Sequence, residues 1–435
     1  MKISFIGSGY VGLVSGACIA DFGHDVLCMD IDKNRIEQLK EYKIPIFEPG
    51  LSELLKKNCI EKKISFTSSI KKAVTNSEVI FIAVGTPSDI NGEVNLKYIF
   101  DAIKNIIPFI QSYKIIVIKS TVPPGTAKKV KQYIKDFKLN ENLYDIVSNP
   151  EFLREGSAIK DFMIPDRIVI GSNSTKAINL VQDIYEPLFL RDTPVIKTTH
   201  ETAELIKYST NAFLATKISF INEIALLCSK LDADVKTISN ALGLDGRISP
   251  KFLHPGPGFG GSCFPKDVIG LLKIMNEYGL SGNIVDAVLK TNFDQKQYIF
   301  NIFYGLLDND VKNKKISILG LSFKPNTDDI RESPALLIIE KLLSNGADVY
   351  GYDPEACQNM KEIFPEVNFT NDLQKVLLNS EGAILLTEWN DLRTLNPRNL
   401  KKLMKTKIFM DCRNIYNPFD WTNEGFKFEN IGRLT

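Results

Sequence analysis

The chain has 435 residues, of which 44% are hydrophobic and 24% are charged, so it is long enough for two or three domains with complete cores. Its 53 Lys and Arg residues almost balance its 52 Asp and Glu residues, and the formal charge of +1 gives no global field that would attract nucleic acid or an anionic membrane. Seven cysteines without CxxC pairs indicate a reducing cytoplasm, and the three dispersed histidines do not suggest a metal site.

The first 30 residues follow the pattern of a dinucleotide-binding βαβ unit. A short apolar strand, Lys2–Ile6, precedes a G-x-G-x-x-G turn, and a helical pattern then leads to a second strand that ends at Asp30. We assign Gly7 to the tight turn, Gly9 to the close approach of a pyrophosphate and Gly12 to helix packing. Asp30 is placed to accept a hydrogen bond from a ribose 2′-hydroxyl, and its charge repels a 2′-phosphate. The unit therefore predicts NAD rather than NADP.

The apolar run between Lys2 and Cys18 also resembles a short secretory signal. A nucleotide-binding turn explains the same residues better, and we expect no other stretch to be apolar enough to span a membrane. We therefore expect a cytoplasmic protein.

Buried strands continue to alternate with polar loops through residues 79–156. Strands 79–84 and 115–118 end at loops that contain Thr86 and Thr121, where ligands bind in doubly wound sheets, although ordinary turn chemistry is the alternative. A strand at 145–148 leads to Glu151 and Glu155, which lie on one face if this segment is helical. The carboxylate pair suggests acid or base chemistry, with a solvated helix face as the alternative.

A long helix is predicted from Glu201 to about Leu242, because apolar residues recur at helical spacing without an interior proline or glycine. Such a helix can join two domains, and its apolar stripe is wide enough to face more than one partner.

One cysteine, Cys263, lies in the glycine-rich segment 256–267. Pro265 fits the first turn of a helix, which places the sulfur at the helix N-terminus. The helix end and Lys266 then both favour the thiolate, the form of cysteine that attacks a carbonyl carbon. The alternative is a small buried thiol beside a glycine turn.

A second βαβ pattern begins at Ile316, after the polar stretch 308–315. A strand, a helix from about 333 to 344 and a strand that ends at Asp353 repeat the N-terminal layout without G-x-G-x-x-G. We therefore predict a second Rossmann-like domain without the close approach to pyrophosphate. Its loop 323–331 offers cations to phosphates or to the cofactor.

The order of these motifs closely resembles that in the UDP-glucose 6-dehydrogenase family, over essentially the whole chain. The motifs that carry the resemblance are the glycine turn, Gly85-Thr-Pro87, Lys119-Ser-Thr-Val-Pro-Pro-Gly-Thr126, Asn149-Pro-Glu-Phe-Leu-Arg-Glu-Gly156 and Gly258-Phe-Gly-Gly-Ser-Cys-Phe-Pro-Lys-Asp267. The resemblance implies oxidation of a sugar C6 alcohol through an aldehyde to a carboxylate, with two NAD and one cysteine. UDP-N-acetylmannosamine enzymes typically carry a histidine where this chain has Ser262, so the resemblance favours UDP-glucose as the substrate.

The resemblance also implies the site residues and the assembly. The implied catalytic residues are Cys263, Lys207, Asn211, Asp267, Glu151 and Thr121. The implied cofactor contacts are Gly7, Gly9, Tyr10, Val11, Gly12, Asp30, Arg35, Thr86, Thr121, Glu155, Lys266 and Arg331. The implied substrate contacts are Glu151, Phe152, Leu153, Arg154, Glu155, Lys207, Asn211, Arg247, Phe252, Leu253, His254, Pro255, Gly256, Phe259, Gly260, Lys324 and Arg413. The long helix is expected to form the core of a homodimer, with Arg413 reaching across it.

We therefore expect an α/β protein with two Rossmann-like doubly wound domains joined by a central long helix and a helical domain. The expected divisions are 1–200 for NAD, 201–300 for the helical domain with the cysteine loop, and 301–435 for the UDP-sugar. GDP-mannose and UDP-N-acetylmannosamine are the alternative substrates. A 6-phosphogluconate-type dehydrogenase would need neither the cysteine nor a second Rossmann domain, and intact candidate catalytic residues argue against an inactive NAD-binding regulatory protein.

Overall fold

Short and mostly buried strands alternate with helices in both halves of the chain, as expected of parallel sheets covered on both faces. The computed structural model describes residues 1–87, 89 and 92–433, and the chain forms two units, Met1–Thr210 and Asn211–Thr435. Within the described residues each unit contains one sheet, and the α/β fold with two Rossmann-like sheets and a long central helix is confirmed.

The elements of the first unit follow one another in strict βα alternation for most of its length. The described strands are β1 Lys2–Ile6, β2 Asp25–Met29, β3 Ile64–Thr67, β4 Val79–Ile82, β5 Lys114–Ile118, β6 Tyr144–Ser148, β7 Ile168–Gly171 and β8 Val195–Thr198. The described α-helices are α1 Tyr10–Asp21, α2 Lys33–Lys40, α3 Leu51–Ile60, α4 Ile70–Thr75, α5 Lys97–Ile106, α6 Thr126–Asp136, α7 Ala158–Met163 and α8 Thr175–Ile184, followed by α9 His200–Leu231, which continues into the second unit.

The first sheet has the order β3-β2-β1-β4-β5-β6-β7-β8 and is parallel except where β7 pairs with β6. Ile3 of β1 is in register with Val26 of β2 and Val79 of β4. Successive strand residues point to opposite faces, so Phe81 packs in one core cluster and Ile80 in another. The strand order reverses beside β1, and the loops after β1, β2, β4, β5 and β6 meet at that edge, which is where ligands bind in such sheets.

The second unit contains a smaller parallel sheet of the order β11-β10-β9-β12-β13-β14. Its described strands are β9 Lys315–Leu319, β10 Asp348–Tyr352, β11 Asn368–Thr370, β12 Gly382–Leu385, β13 Ile408–Asp411 and β14 Lys427–Asn430. The remaining described helices are α10 Val235–Leu244, α11 Phe264–Glu277, α12 Asn283–Leu306, α13 Pro334–Ser344, α14 Cys357–Ile363, α15 Leu373–Leu377, α16 Asn390–Arg393, α17 Pro397–Leu403 and α18 Pro418–Asn423.

Asp353 follows β10 at the place that Asp30 takes after β2, but its carboxylate serves the fold. It is fully buried and accepts hydrogen bonds from the backbone of Leu321 (2.8 Å) and Ser322 (3.0 Å) and from the Trp389 indole (2.9 Å). The second sheet thus keeps the Rossmann-like layout, but the Asp353 carboxylate after its second strand is bonded to the Trp389 side chain.

The prediction of one helix from Glu201 to about Leu242 is wrong. Helix α9 ends at Leu231 and α10 begins at Val235. Asp232 takes the left-handed conformation with φ 51°, and the Asp234 side chain accepts from the amide of Thr237, so a local cap starts a new helix. The hydrophobic spacing continues across this break, and periodicity alone could not reveal it.

Helix α9 is long and apolar enough to cross a membrane by length and composition, contrary to the expectation that no stretch would be. Its inward residues Ile221, Ala225 and Cys228 instead pack in a hydrophobic core of the second unit. Core helices of globular proteins pass the same test, and this one also contains the buried charged residues Glu204 and Lys207.

Candidate active site

The glycine turn after β1 has the geometry that its sequence predicts. Gly7 has φ +104°, and a Cβ at Gly12 would lie 1.9 Å from the Gly7 carbonyl oxygen, so a side chain at Gly12 would prevent α1 from packing. A Cβ at Gly9 would meet no described atom within 4 Å. No described side chain caps α1 at Gly9, so the first amides of the helix remain for an anion. This open, uncapped turn fits the pyrophosphate of NAD.

Asp30 follows β2 and closes the same turn. Its carboxylate accepts from the amides of Ser8 (2.8 Å) and Asp32 (3.0 Å), and Arg35 Nη1 lies 3.4 Å from Oδ2. Asp30 is buried, whereas the Arg35 side chain is partly exposed. The structure therefore brings together two of the residues that the resemblance assigns to the cofactor.

Thr86 and Thr121 follow β4 and β5 and meet each other. The Thr86 hydroxyl donates to the Thr121 carbonyl oxygen at 2.9 Å, and Ser120 Oγ donates to the Val84 carbonyl oxygen at 2.7 Å. The two loops are thus tied together, and the two threonines lie in one polar cluster.

Glu151 and Lys207 form a buried ion pair in the first unit. Lys207 Nζ lies 2.9 Å from Glu151 Oε1, and the exposed fractions of the side chains are 3% and 6%. The Leu153 amide donates to the other carboxylate oxygen at 2.5 Å. Such a pair is costly to bury unless both partners are satisfied, so its presence beside the strand ends indicates a functional role.

The segment that contains Glu151 and Glu155 is not helical before Ala158, so the two carboxylates do not share a helix face. Phe152 stacks beneath the Arg167 guanidinium at 3.7 Å and lies 5.4 Å from Lys207 Nζ. Arg154 forms a bidentate pair with Asp161 that includes an Nε–Oδ2 contact of 2.9 Å. Position 154 is exposed, and Arg154 is therefore held by Asp161 of the following helix α7.

A second lysine, Lys119, is buried behind Glu151. Lys119 Nζ lies 3.1 Å from Asn149 Oδ1 and 3.4 Å from Tyr185 Oη, and burial lowers its pKa to about 8. A cavity of about 50 Å³ is lined by Lys119, Asn149, Glu151, Phe152, Arg167 and Tyr185, among others. Lys119 and Glu151 thus line the same cavity, and the positive charge of a protonated Lys119 is attracted to the Glu151 carboxylate.

In the second unit, Asn211 and Asp267 form a buried pair. Asn211 Nδ2 donates to Asp267 Oδ2 at 2.6 Å, and Lys266 Nζ lies 2.9 Å from Asp267 Oδ1. Asp267 is 1% exposed. Lys266 is therefore paired with Asp267, and its predicted support of a thiolate at Cys263 stays a prediction.

The prediction that Cys263 lies at a helix N-terminus is confirmed. Helix α11 begins at Phe264 with Pro265 in its first turn, and Cys263 is the N-cap residue. Its sulfur is partly buried, forms no disulfide and lies 3.4 Å from Ser262 Oγ. The helix dipole favours negative charge at this position.

Side-chain amides fix the backbone of the segment before Cys263. Asn292 Oδ1 accepts from the Phe259 amide at 2.7 Å while Asn292 Nδ2 donates to the Phe259 carbonyl at 3.1 Å. Gly256 is held in the same way, because Asn222 Oδ1 accepts from its amide at 2.8 Å and Gln295 Nε2 donates to its carbonyl at 2.9 Å. Two peptide groups without strand partners are thus fully paired, which keeps the loop in one conformation.

The other predicted substrate residues of this unit divide between that segment and the surface. Four of them are buried in the segment: Pro255, Gly256, Phe259 and Gly260. The backbone of Phe252 has φ +65°, and the Leu253 carbonyl accepts a hydrogen bond from Ser239 Oγ. Position 254 is exposed. Arg247 is 89% exposed and pairs with Asp245, so the structure does not bring it to the cysteine segment.

Two cations flank the loop after β9, and a third lies near Gly256. Lys324 Nζ lies 5.1 Å from the Phe323 ring centroid, and Arg331 forms a bidentate pair with Asp329. Arg413 donates to the carbonyls of Leu386 (2.6 Å) and Phe323 (3.1 Å). The Arg413 side chain is thus held within its own unit in the single chain, and its predicted reach across a dimer stays a prediction.

Sequence reasoning missed two buried glutamates, Glu48 and Glu204. Glu48 accepts from the Tyr10 hydroxyl and from the amides of Gly156 (2.6 Å) and Ala158 (2.7 Å). Glu204 accepts from the amides of Gly125 (2.7 Å) and Ala127 (2.9 Å). The signal was present, since Glu204 lies one helical turn before Lys207 and on the same face.

Three segments match sequence models of one family along most of the chain. Residues 1–189 match the NAD binding domain of the UDP-glucose/GDP-mannose dehydrogenase family, 201–294 match its central domain and 317–418 match its UDP binding domain. The expected family resemblance is therefore confirmed.

Similar proteins span the whole chain. A UDP-glucose 6-dehydrogenase of Rhizobium meliloti is 45% identical over 100% of both chains. The UDP-glucose 6-dehydrogenase TuaD of Bacillus subtilis is 44% identical over 99% of this chain and 93% of its own. The solved structure of a UDP-glucose dehydrogenase from Pyrobaculum islandicum matches with a TM-score of 0.92 at 36% identity, over 100% of this chain and 98% of that one.

Proposed function

This chain belongs to the UDP-glucose/GDP-mannose dehydrogenase family, and we propose that it oxidises the C6 alcohol of UDP-glucose to the carboxylate of UDP-glucuronate. The similarity to UDP-glucose 6-dehydrogenases over the full chain, together with a cysteine at the N-terminus of α11, supports this substrate and chemistry. NAD, when bound, accepts a hydride in each of two oxidations. The overall reaction consumes one UDP-glucose, two NAD⁺ and one water, and yields UDP-glucuronate, two NADH and three protons.

Lys207 and Asn211 are proposed to stabilise negative charge on the C6 oxygen. They are four residues apart on α9, so both side chains leave the same face of that helix. An ammonium and a carboxamide are suitable donors to an oxygen that gains charge as its proton leaves. Asp267, held by Asn211 and Lys266, is proposed to act with a water as the acceptor of that proton, with Thr121 also at the water.

Cys263 is proposed to form the covalent intermediate of the second oxidation. Its thiolate adds to the C6 aldehyde to give a thiohemiacetal, and loss of a second hydride leaves a thioester. Glu151, oriented by Lys207 and the Leu153 amide, then directs water to the thioester carbon. Hydrolysis releases the carboxylate and restores the thiol. The aldehyde is therefore not released into solvent between the two oxidations.

The substrate assignment is tested by following NADH with UDP-glucose, GDP-mannose and UDP-N-acetylmannosamine separately. We expect two NADH per UDP-glucose and much lower kcat/KM for the other two sugars. A preference for either of the other sugars would refute the assignment.

The covalent step is tested with Cys263→Ala, which we expect to abolish uronate formation. Cys263→Ser should trap a slowly hydrolysed sugar ester, seen as a mass increase on the intact protein. Cys59→Ala, at another partly buried cysteine, is the control and should behave as wild type. Two NADH per sugar from Cys263→Ala at near wild-type rate would exclude the thioester route.

The chain is further proposed to form a homodimer through α9. Phe213, Phe220 and Leu227 repeat every seven residues on this helix and are 66%, 48% and 52% exposed. Apolar side chains in such a row indicate a surface that is covered by another protein, and a second copy of the same helix is the simplest self-complementary partner. Sedimentation at micromolar concentration should show a dimer.

The division into a domain for NAD at 1–200, a helical domain at 201–300 and a UDP-sugar domain at 301–435 is likewise a proposal. The boundaries of the three matching family segments support it. A cytoplasmic location is proposed from the scattered, odd-numbered cysteines.

A further inference from the structure

Two buried glutamates in the first unit perform the same structural task at two different loops. Glu204, on α9, accepts from the amides of Gly125 and Ala127 at the start of α6. Glu48, before α3, accepts from the amides of Gly156 and Ala158 at the start of α7. Each carboxylate therefore caps a helix from an element that is distant in sequence.

These two helices, like α1, α3 and α5, lack the local side-chain cap that α2, α4 and α8 have. The N-cap of α6 is Gly125, which has no side chain and has φ +88°, and Ser157 at α7 makes no side-chain cap bond. By contrast, Ser174 caps α8 by accepting from the Ala177 amide at 3.2 Å. A local serine would be a less costly cap than a buried carboxylate, which must be desolvated.

The loops that precede these helices carry the candidate cofactor residues. The loop before α6 contains Thr121, whose carbonyl oxygen accepts from Thr86. The loop before α7 contains Glu155, and Glu48 also accepts from the hydroxyl of Tyr10 in the glycine turn. Each distant cap therefore fixes the end of a loop that carries a candidate cofactor residue.

We propose that Glu48 and Glu204 are positioning residues, which hold the loops after β6 and β5 in the arrangement that the cofactor and the first oxidation require. The inference rests on the proposed function, because it assigns these loops to the cofactor. Glu48 joins the glycine turn to the loop at Glu155, so its loss should weaken cofactor binding. Glu204 acts on the loop of Thr121, so its loss should mainly lower kcat.

The surroundings of Glu204 predict a pH signature for its role. Burial raises the pKa of Glu204 to about 7, and the nearby Glu201 carboxylate adds to the increase. Ser148 Oγ bridges Glu204 Oε1 (3.2 Å) and His200 Nδ1 (3.1 Å), and burial lowers the pKa of His200. As the pH falls below about 7, Glu204 gains a proton and one of its oxygens becomes a poor acceptor for an amide.

The experiment compares Glu48→Gln and Glu204→Gln with Ser174→Ala, which removes an ordinary cap in the same unit. In each glutamine variant an NH2 group replaces one acceptor, so one backbone amide faces a donor. We expect Glu48→Gln to raise KM for NAD and the Kd for NADH about tenfold with a smaller change in kcat. Glu204→Gln should lower kcat by about ten- to a hundredfold, as expected for a misplaced catalytic loop, and Ser174→Ala should leave all three constants unchanged.

The pH profile of kcat separates positioning from a general loss of stability. Wild-type kcat should decline below pH of about 7 as Glu204 is protonated, Glu204→Gln should lack that decline, and Glu204→Asp should restore it in part. If Glu204→Gln does not fold, hydrogen exchange of residues 125–127 in the wild type serves instead. Their protection factors, which already correct for the slower intrinsic exchange at lower pH, must then fall below that pH.

The inference is overturned if both glutamine variants match Ser174→Ala in NADH affinity, kcat and pH profile. Failure of the proposed function has a different result, in which wild type yields no NADH from UDP-glucose. In that case NADH affinity, measured by fluorescence, still decides: a tenfold loss in Glu48→Gln supports the inference and an unchanged Kd overturns it.

Discussion

The loop that carries Cys263 should lose its single conformation when Asn292 is replaced by leucine. Asn292 makes two buried hydrogen bonds to Phe259, one to the amide and one to the carbonyl. Leucine has almost the same size but pairs with neither group. Each buried group left without a partner costs about 1–3 kcal/mol, so the loop should be destabilised by about 2–5 kcal/mol after partial access of water.

Hydrogen exchange of residues 255–263, followed by mass spectrometry, measures this loss directly. Each 1.4 kcal/mol is a factor of ten in the opening equilibrium, so protection should fall by about 30- to 3,000-fold. Asn301→Leu, at an exposed position on the same helix α12, is the matched control and should leave exchange unchanged. If exchange in Asn292→Leu changed by less than about threefold, the two hydrogen bonds would not fix the loop and the reasoning from unpaired groups would be wrong.

Three further predictions concern the cofactor turn and the helix α9. Asp30→Ala should lower the ratio of kcat/KM for NAD to kcat/KM for NADP by about tenfold, mostly because NAD binds more weakly. Comparable values of kcat/KM for the two cofactors in the wild type would refute the role of the carboxylate. Gly12→Ala should destabilise the first unit by about 3 kcal/mol or more in urea unfolding, because its Cβ would lie 1.9 Å from the Gly7 oxygen. Gly9→Ala should have the same urea midpoint as the wild type and lose only affinity for NADH. Phe213→Lys should shift the dimer towards monomer in sedimentation, and an unchanged dimer would place the interface elsewhere.

Much of the fold and the position of the nucleophile could be predicted because they depend on short-range patterns. The glycine turn needs only a chain reversal with φ above zero at Gly7 and no side chain at Gly12, and both are properties of consecutive residues. The helix start at Phe264 follows from Pro265 in the same way. By contrast, the end of α9 at Leu231 depends on the left-handed backbone of Asp232, which no apolar periodicity reports.

The sequence by itself determined which chemical groups this protein has and at which strand and helix ends they occur. Only the tertiary structure decided their partners. Lys207 could be a solvated helix residue until the fold buries it 2.9 Å from Glu151. The sequence shows only the helical spacing of Glu204 from Lys207, and its partners, the amides at the start of α6, are set by the fold. Buried charges must be paired with groups that are remote along the chain, because only long-range packing removes water from them, and local sequence patterns contain no record of that packing.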